Sequence, residues 1–179
     1  SVHSDTCSMI PPFDPDTGLL PPNLNDAPYE TSVAEVRQRL VDDLGSPPWR
    51  VRLMAGWDVV REAVWNRIPT AGWWLWGCFV SNHPDPEWGD AQALSALLIL
   101  PRADLPPVPD LEMLLGFLQG AEMNHAVDVS LQIEWGAAHP DNFDYIEALE
   151  TKYRPRASMG VADHSGRALV RAGFLGVTQ

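Results

Sequence analysis

Cysteine is nearly absent from this chain, with only Cys7 and Cys78 in 179 residues and no C-x-x-C pair. That excludes a disulfide-stapled scaffold and a thiolate zinc site. Histidine offers no substitute, because His83, His125, His139 and His164 show neither H-x-H nor H-x-x-x-H spacing. There is no P-loop, no G-x-G-x-x-G and no G-x-S-x-G. Apolar runs are too short to span a bilayer and the start is not signal-like, so the expectation is a cytoplasmic protein with no membrane partner. Lysine occurs once, at Lys152, and the formal net charge is −12. That charge argues against direct nucleic-acid binding through a basic surface, and leaves room for a cationic partner or bound metal.

What is present suits a folded domain. The chain is 45% hydrophobic and 20% charged, ordinary values for a globular protein long enough for one full core. Most of its 17 prolines fall in the first 50 residues and in 101–109, where they mark extended connections. Residues 1–12 are expected to be a flexible tail and residues 13–179 a single domain. The 13–28 segment has turn chemistry at Asp16-Thr17-Gly18 and should lie over the body, pinned by Phe13, Leu19 and Leu20.

Ser32-Val33-Ala34-Glu35 reads as a capping box, opening a helix over 33–44 that Gly45 stops. A second helix follows Ser46-Pro47 and runs to Pro69, with Trp49, Leu53, Trp57, Val60, Val64 and Ile68 on one face. A strand is predicted over 73–80, a polar loop over 81–89, and a second strand over 91–100. Asp110 caps a helix bearing Leu111, Leu114, Leu115 and Leu118. The strict alternation over 127–135 predicts a strand with one face buried. A short helix should follow Asp141, and a last strand should lie near 168–174. The order implies an α/β (α+β) sandwich with a small mixed sheet packed by helices.

Two stretches carry the candidate chemistry. Gly77-Cys78 makes a small-residue turn after the first strand, and Asp90-Ala91-Gln92 heads the second. Residues two apart on a strand face the same way, so Asp90 and Gln92 should look toward one site, with Asp128 joining from the V-D-V strand. Taken singly, Asp90 also suits loop capping, Asp128 a solvent-facing position and Cys78 a small buried hydrophobe. His125 suits a helix end.

The pattern resembles the nucleotidyltransferase superfamily, which places a Gly-Ser turn after a strand, Asp-x-Asp or Asp-x-Glu on the next, and a third carboxylate on a later one. It is similar more narrowly to an uncharacterised bacterial branch of that superfamily. The pieces here are F-D-P-D-T-G-L-L-P-P, T-S-V-A-E-V-R, G-C-F-V-S-N-H-P-D-P and D-A-Q, in that order, and the likeness runs from Phe13 to about Gly160. It implies a nucleotidyltransferase-like fold and a bound nucleotide. It also implies Mg²⁺ held by Asp90, Gln92 and Asp128, with Asp90 and Asp128 catalytic. Gly77, Cys78, Arg154 and Arg156 would meet the phosphates.

This chain departs from that pattern at three points. Gln92 replaces the second acid, Cys78 replaces the turn serine, and Met159 takes a basic position. The resemblance therefore implies an impaired or inactive enzyme that keeps nucleotide or metal binding, with toxin or defence relatives by fold analogy. The residues leave a second class open: a non-catalytic module that binds a protein partner through an acidic, Trp-bearing surface around Asp85-Pro86-Glu87-Trp88.

Overall fold

The computed structural model describes residues 9–24, 27–84, 93–134, 160–161 and 170–179. Strand β1 (Tyr29–Thr31) leads into helix α1 (Val33–Leu40), and helix α2 (Pro48–Trp65) precedes strand β2 (Gly72–Trp76). Strand β3 (Leu94–Pro101) is followed by helices α3 (Val108–Gln119) and α4 (Ala121–His125), then by strand β4 (Val127–Glu134). Three short strands end the chain: β5 (Gly160–Val161), β6 (Val170–Arg171) and β7 (Leu175–Val177).

Five of the strands form one sheet in the order β1-β7-β2-β3-β4, while β5 and β6 pair separately. The five-stranded sheet is mixed. β2 runs antiparallel to both β3 and β7, whereas β3–β4 and β1–β7 are parallel. The parallel β3–β4 pair needs a crossover, which α3 and α4 supply. The α/β (α+β) expectation with a small mixed sheet holds.

Alternation decides which face is which. Trp73, Leu75, Leu94, Ala96, Leu98, Leu100, Val127, Leu131, Ile133, Leu175 and Val177 are buried on the helix side, in one core with residues of all four helices. Trp57 of α2 meets Trp73 edge-on, with ring centroids 6.3 Å apart and planes at 90°. Each such fully buried side chain contributes about 1.5–3 kcal/mol relative to an exposed one. The distal face carries Glu30, Trp74, Trp76, Ser95, Leu97, Ile99, Asp128, Ser130, Gln132 and Glu134, as the register requires.

Several boundaries differ from expectation for local reasons. Ile10 is buried in the core, and its N–H donates to Glu35 Oε1 at 3.0 Å, so the chain is fixed ahead of residue 13. Only half of the capping box appears as expected. Ser32 Oγ accepts from Glu35 N at 3.1 Å, while the Glu35 carboxylate accepts from Thr31 Oγ1 at 2.7 Å. Helix α1 stops at Leu40, and a 3₁₀ turn over Asp42–Leu44 leads to left-handed Gly45. Helix α2 ends at Trp65 and leaves Ile68 buried beyond it. Strand β2 ends at Trp76, not residue 80, because Gly77 turns the chain with φ +84°. Helix α3 begins at Val108, which places Asp110 in its first turn rather than at its cap. The short β1 was not expected. The helix expected after Asp141 lies outside the described residues.

Candidate functional site

The Gly77–Pro84 turn is built by segments distant in sequence. Its own bonds are Val80 N–H to Gly77 O at 3.0 Å and Ser81 Oγ–H to Cys78 O at 2.6 Å. The N-terminal F-D-P-D-T-G-L run then docks on it. Asp14 Oδ1 accepts from the amides of Asp16 and Thr17, closing a tight turn that delivers Gly18 and Leu19 to the loop. Gly18 O accepts from Asn82 N at 2.9 Å, and Leu19 bridges Ser81. Gly18 holds φ +70°, a conformation that L side chains rarely adopt, so a bulkier residue would strain the turn that brings the two segments together. Two of the quoted motifs are thus halves of one folded unit.

The centre of that unit is Arg50, on α2. Its fully buried guanidinium donates to Phe79 O and Ser81 O at 2.7 Å, and to Leu40 O and His83 O at 3.1 Å. Trp49 stacks over it at 4.2 Å and donates from Nε1 to Pro84 O at 3.1 Å. Burial pushes the Arg50 pKa down to about 10, with negative charge at Cys78 pulling the other way, so the group stays cationic at neutral pH. Carbonyl dipoles and an indole face, not a carboxylate, compensate this charge.

That wiring changes the role expected of the turn. A phosphate cradle needs outward-pointing amides. Here Val80, Asn82 and His83 already spend theirs on Gly77 O, Gly18 O and Ser81 Oγ, and Pro84 has none. The head of the turn is Gly77, which holds φ +84°. Cys78 is half-buried and in no disulfide, so its side chain is not wholly a core hydrophobe.

Asp128 lies at the same end of the sheet. Trp76 pairs with Ser95, and Ser95 pairs with Asp128, which sets the three residues side by side on the distal face. Asp128 therefore stands roughly 10 Å, two strand spacings, from the strand end that turns at Gly77. The carboxylate is exposed while its neighbour Val127 is buried, as the alternation predicts. Ser95 lies beside the turn, since a β-carbon added to Gly77 would meet Ser95 Oγ at 3.5 Å.

Asp90, Gln92, Arg154 and Arg156 lie outside the described residues, as do Trp88 and its loop. Among the described residues no group of three His, Cys, Asp or Glu side chains could hold a metal. Asp128 and Ser95 alone do not make a Mg²⁺ site. His125 sits at the C-terminal end of α4, where it suits the helix dipole.

Arg50 and Ser95 escaped the sequence reading. Arg50 had a visible signal: it shares the helical stripe of Leu53, Met54, Trp57 and Val64, all buried. A cation on an apolar stripe has to find acceptors inside the protein. Ser95 had no signal, because its importance comes from its cross-strand partners.

Neither a curated protein nor a solved structure matches the chain. One family model does, over residues 11–156, a span that takes in the N-terminal turn, the Gly77 loop, Asp128 and both candidate arginines. The chain belongs to that family, DUF6932, whose description is a family of unknown function.

Proposed function

We propose that this chain is a nucleotidyltransferase-like domain, impaired in catalysis, that retains binding of a nucleotide at the Gly77 end of its distal sheet face. The observation that carries this reading is the convergence of the left-handed Gly77 turn, Ser95 and Asp128 on three successive strands. A strand, a glycine turn, an antiparallel strand and a later strand with a leading carboxylate are what the nucleotidyltransferase resemblance implies for a phosphate and metal site, where carboxylates would ligate the metal. Gln92 in the acidic pair and Cys78 in the turn are the reasons for reading the site as impaired. An amide neutralises no metal charge, and a thiol is a weak donor to phosphate. A metal would need Asp90 and Gln92 beside Asp128, and Arg154 and Arg156 would meet the phosphates.

Isothermal titration with ATP, CTP, GTP and UTP in Mg²⁺ or Mn²⁺ tests the proposal. Saturable binding that is lost in Asp128→Asn and in Asp90→Ala supports it. Absence of heat with all four nucleotides, on a folded protein, refutes it.

A second reading, a non-catalytic module with an acidic, Trp-bearing surface for a protein partner, draws on the same face. Trp74 and Trp76 are half-buried there beside Glu30, Asp128 and Glu134. Pull-down with the wild type against Trp76→Ala separates the two readings.

A further inference from the structure

Two arginines are buried on α2, and they are compensated in different ways. Arg61 pairs with the carboxylate of Asp58 at 2.8 Å and lies against the rings of Trp57 and Trp65, so its partners all belong to α2 itself. Arg50 has no carboxylate within ion-pair distance among the described residues. Of the four carbonyls it meets, Phe79 O, Ser81 O and His83 O belong to the one segment that follows the Gly77 turn. A buried cation is costly, and apolar side chains of similar volume often serve a core as well. The charge of Arg50 is directed at the shape of that segment.

Peptide geometry says what the grip does. In a trans peptide the carbonyl of one residue and the N–H of the next point in opposite directions, and the described peptides here are all trans. Drawing Phe79 O inward at 2.7 Å turns the Val80 N–H away from Arg50, and that N–H donates to Gly77 O at 3.0 Å, the bond that closes the turn. Drawing Ser81 O inward at 2.7 Å likewise turns out the Asn82 N–H, which donates to Gly18 O at 2.9 Å. The third peptide ends at Pro84, which has no N–H to place, and Trp49 Nε1 donates to the Pro84 carbonyl. Gly77, at φ +84°, is thus held in its left-handed conformation from beneath, by a side chain buried under the turn.

We propose that Arg50 is a positioning residue for the nucleotide site, acting through the Phe79–Val80 peptide to hold the Gly77 turn in the conformation that receives phosphate, without touching the ligand. This rests on the nucleotide reading. Lysine keeps the charge but lacks the fork that takes Phe79 O on one nitrogen and Ser81 O on the other, so it leaves the two peptides unaligned.

The test titrates the full chain with ATP, CTP, GTP and UTP in Mg²⁺ by calorimetry, as wild type, Arg50→Lys and Arg61→Lys, each shown folded by circular dichroism at the titration temperature. Arg50→Lys should weaken nucleotide binding by roughly tenfold or more, as loss of an outer support does at metal sites. Arg61→Lys alters a buried arginine of the same helix without reaching the turn, and should change affinity by less than about twofold. A double-variant cycle with Gly77→Ala gives the readout that stability alone does not move. Arg50→Lys and Gly77→Ala should be non-additive in affinity, and Arg61→Lys and Gly77→Ala additive. Amide exchange of Val80 and Asn82 should quicken in Arg50→Lys and stay at the wild-type rate in Arg61→Lys. Trp49→Phe keeps a ring over Arg50 and removes only the bond to Pro84 O, so it folds even if Arg50→Lys does not, and should weaken binding by roughly two- to fivefold. Wild-type affinity in either turn variant, or equal loss in Arg50→Lys and Arg61→Lys, overturns the proposal and leaves the nucleotide reading intact. Absence of binding to the wild type refutes the nucleotide reading, and the proposal falls with it.

Discussion

Gly56 lies in the middle of α2, where alanine would ordinarily help. Replacing a mid-helix glycine with alanine gains about 0.5–1 kcal/mol through helix propensity. Here a β-carbon would fall 1.7 Å from His125 O, inside the 3.0 Å below which real Cβ contacts essentially never occur. The obstacle is backbone, so no side-chain rotation relieves it, and α4 must move away from α2. Overpacking of that kind costs roughly 1–3 kcal/mol, and at this depth of overlap the upper end applies. The net expectation for Gly56→Ala is a loss of about 2 kcal/mol after the propensity gain is subtracted. Gly116 in α3 is the control, because nothing lies within 4 Å of its virtual β-carbon. Gly116→Ala should gain up to about 1 kcal/mol. Urea unfolding followed by tryptophan fluorescence reads both, with Trp57 and Trp73 reporting on the core. With a slope of roughly 2 kcal/mol/M, the Gly56 variant should shift its midpoint down by about 1 M. The effect should also reach the candidate site, since His125 and Ala126 lead straight into β4 and Leu94 N donates to Ala126 O at 2.8 Å. A Gly56→Ala protein as stable as Gly116→Ala would refute the close approach of α2 and α4.

Arg50→Met should cost about 3–5 kcal/mol, because it leaves four inward carbonyls without their cation. Arg50→Lys should recover only part of that, as one ammonium cannot match the guanidinium fork, and the same urea titration ranks the three proteins. Gly77→Ala meets ordinary contact at Ser95 but a φ of +84°, so the expected loss is about 1–2 kcal/mol from backbone strain alone, read as a lower melting temperature. Ala126 holds φ 56° at the end of α4, so Ala126→Gly should raise stability by up to about 1 kcal/mol unless freedom gained by the unfolded chain cancels it.

How far the sequence could be read follows from the range of each interaction. Periodicity placed α2, α3 and β4, because burial of Leu53, Trp57, Leu111, Leu114, Leu131 and Ile133 is written directly as spacing. Boundaries failed where a single backbone angle decides them. Gly77 ends β2 four residues earlier than the apolar run suggests, and Leu40 ends α1 ahead of the expected Gly45 stop. Strand β1 was invisible, since three residues carry no period and its partner Leu175–Val177 lies at the other end of the chain. The same applies to the site. Gly77 and Asp128 could be named from local pattern, but their shared neighbour Ser95 follows only from strand register. The contact between the N-terminal turn and the Gly77 loop was present in the sequence as two motifs in order, with nothing to say that they touch.

The charges on the distal face limit how a nucleotide could bind at all. Among the described residues of the five-stranded sheet, that face presents Glu30, Asp128 and Glu134 and no basic side chain. Arg50 is close in sequence to nothing on that face and has already committed its charge to four carbonyls beneath the turn. A triphosphate brought to the Gly77 head therefore meets a carboxylate at Asp128 and few free amides. At roughly 10 Å each unit of like charge costs on the order of 1 kcal/mol at a protein surface. Nucleotide binding should accordingly require a divalent cation, and chelation with EDTA should abolish it rather than weaken it. Asp128→Asn then separates two causes. If Asp128 serves as a cation ligand, the substitution lowers affinity in Mg²⁺. If it only repels phosphate, the substitution raises affinity in EDTA. Tight binding of ATP to the wild type without metal would refute the cation requirement and leave Arg154 and Arg156 as the source of the compensating charge.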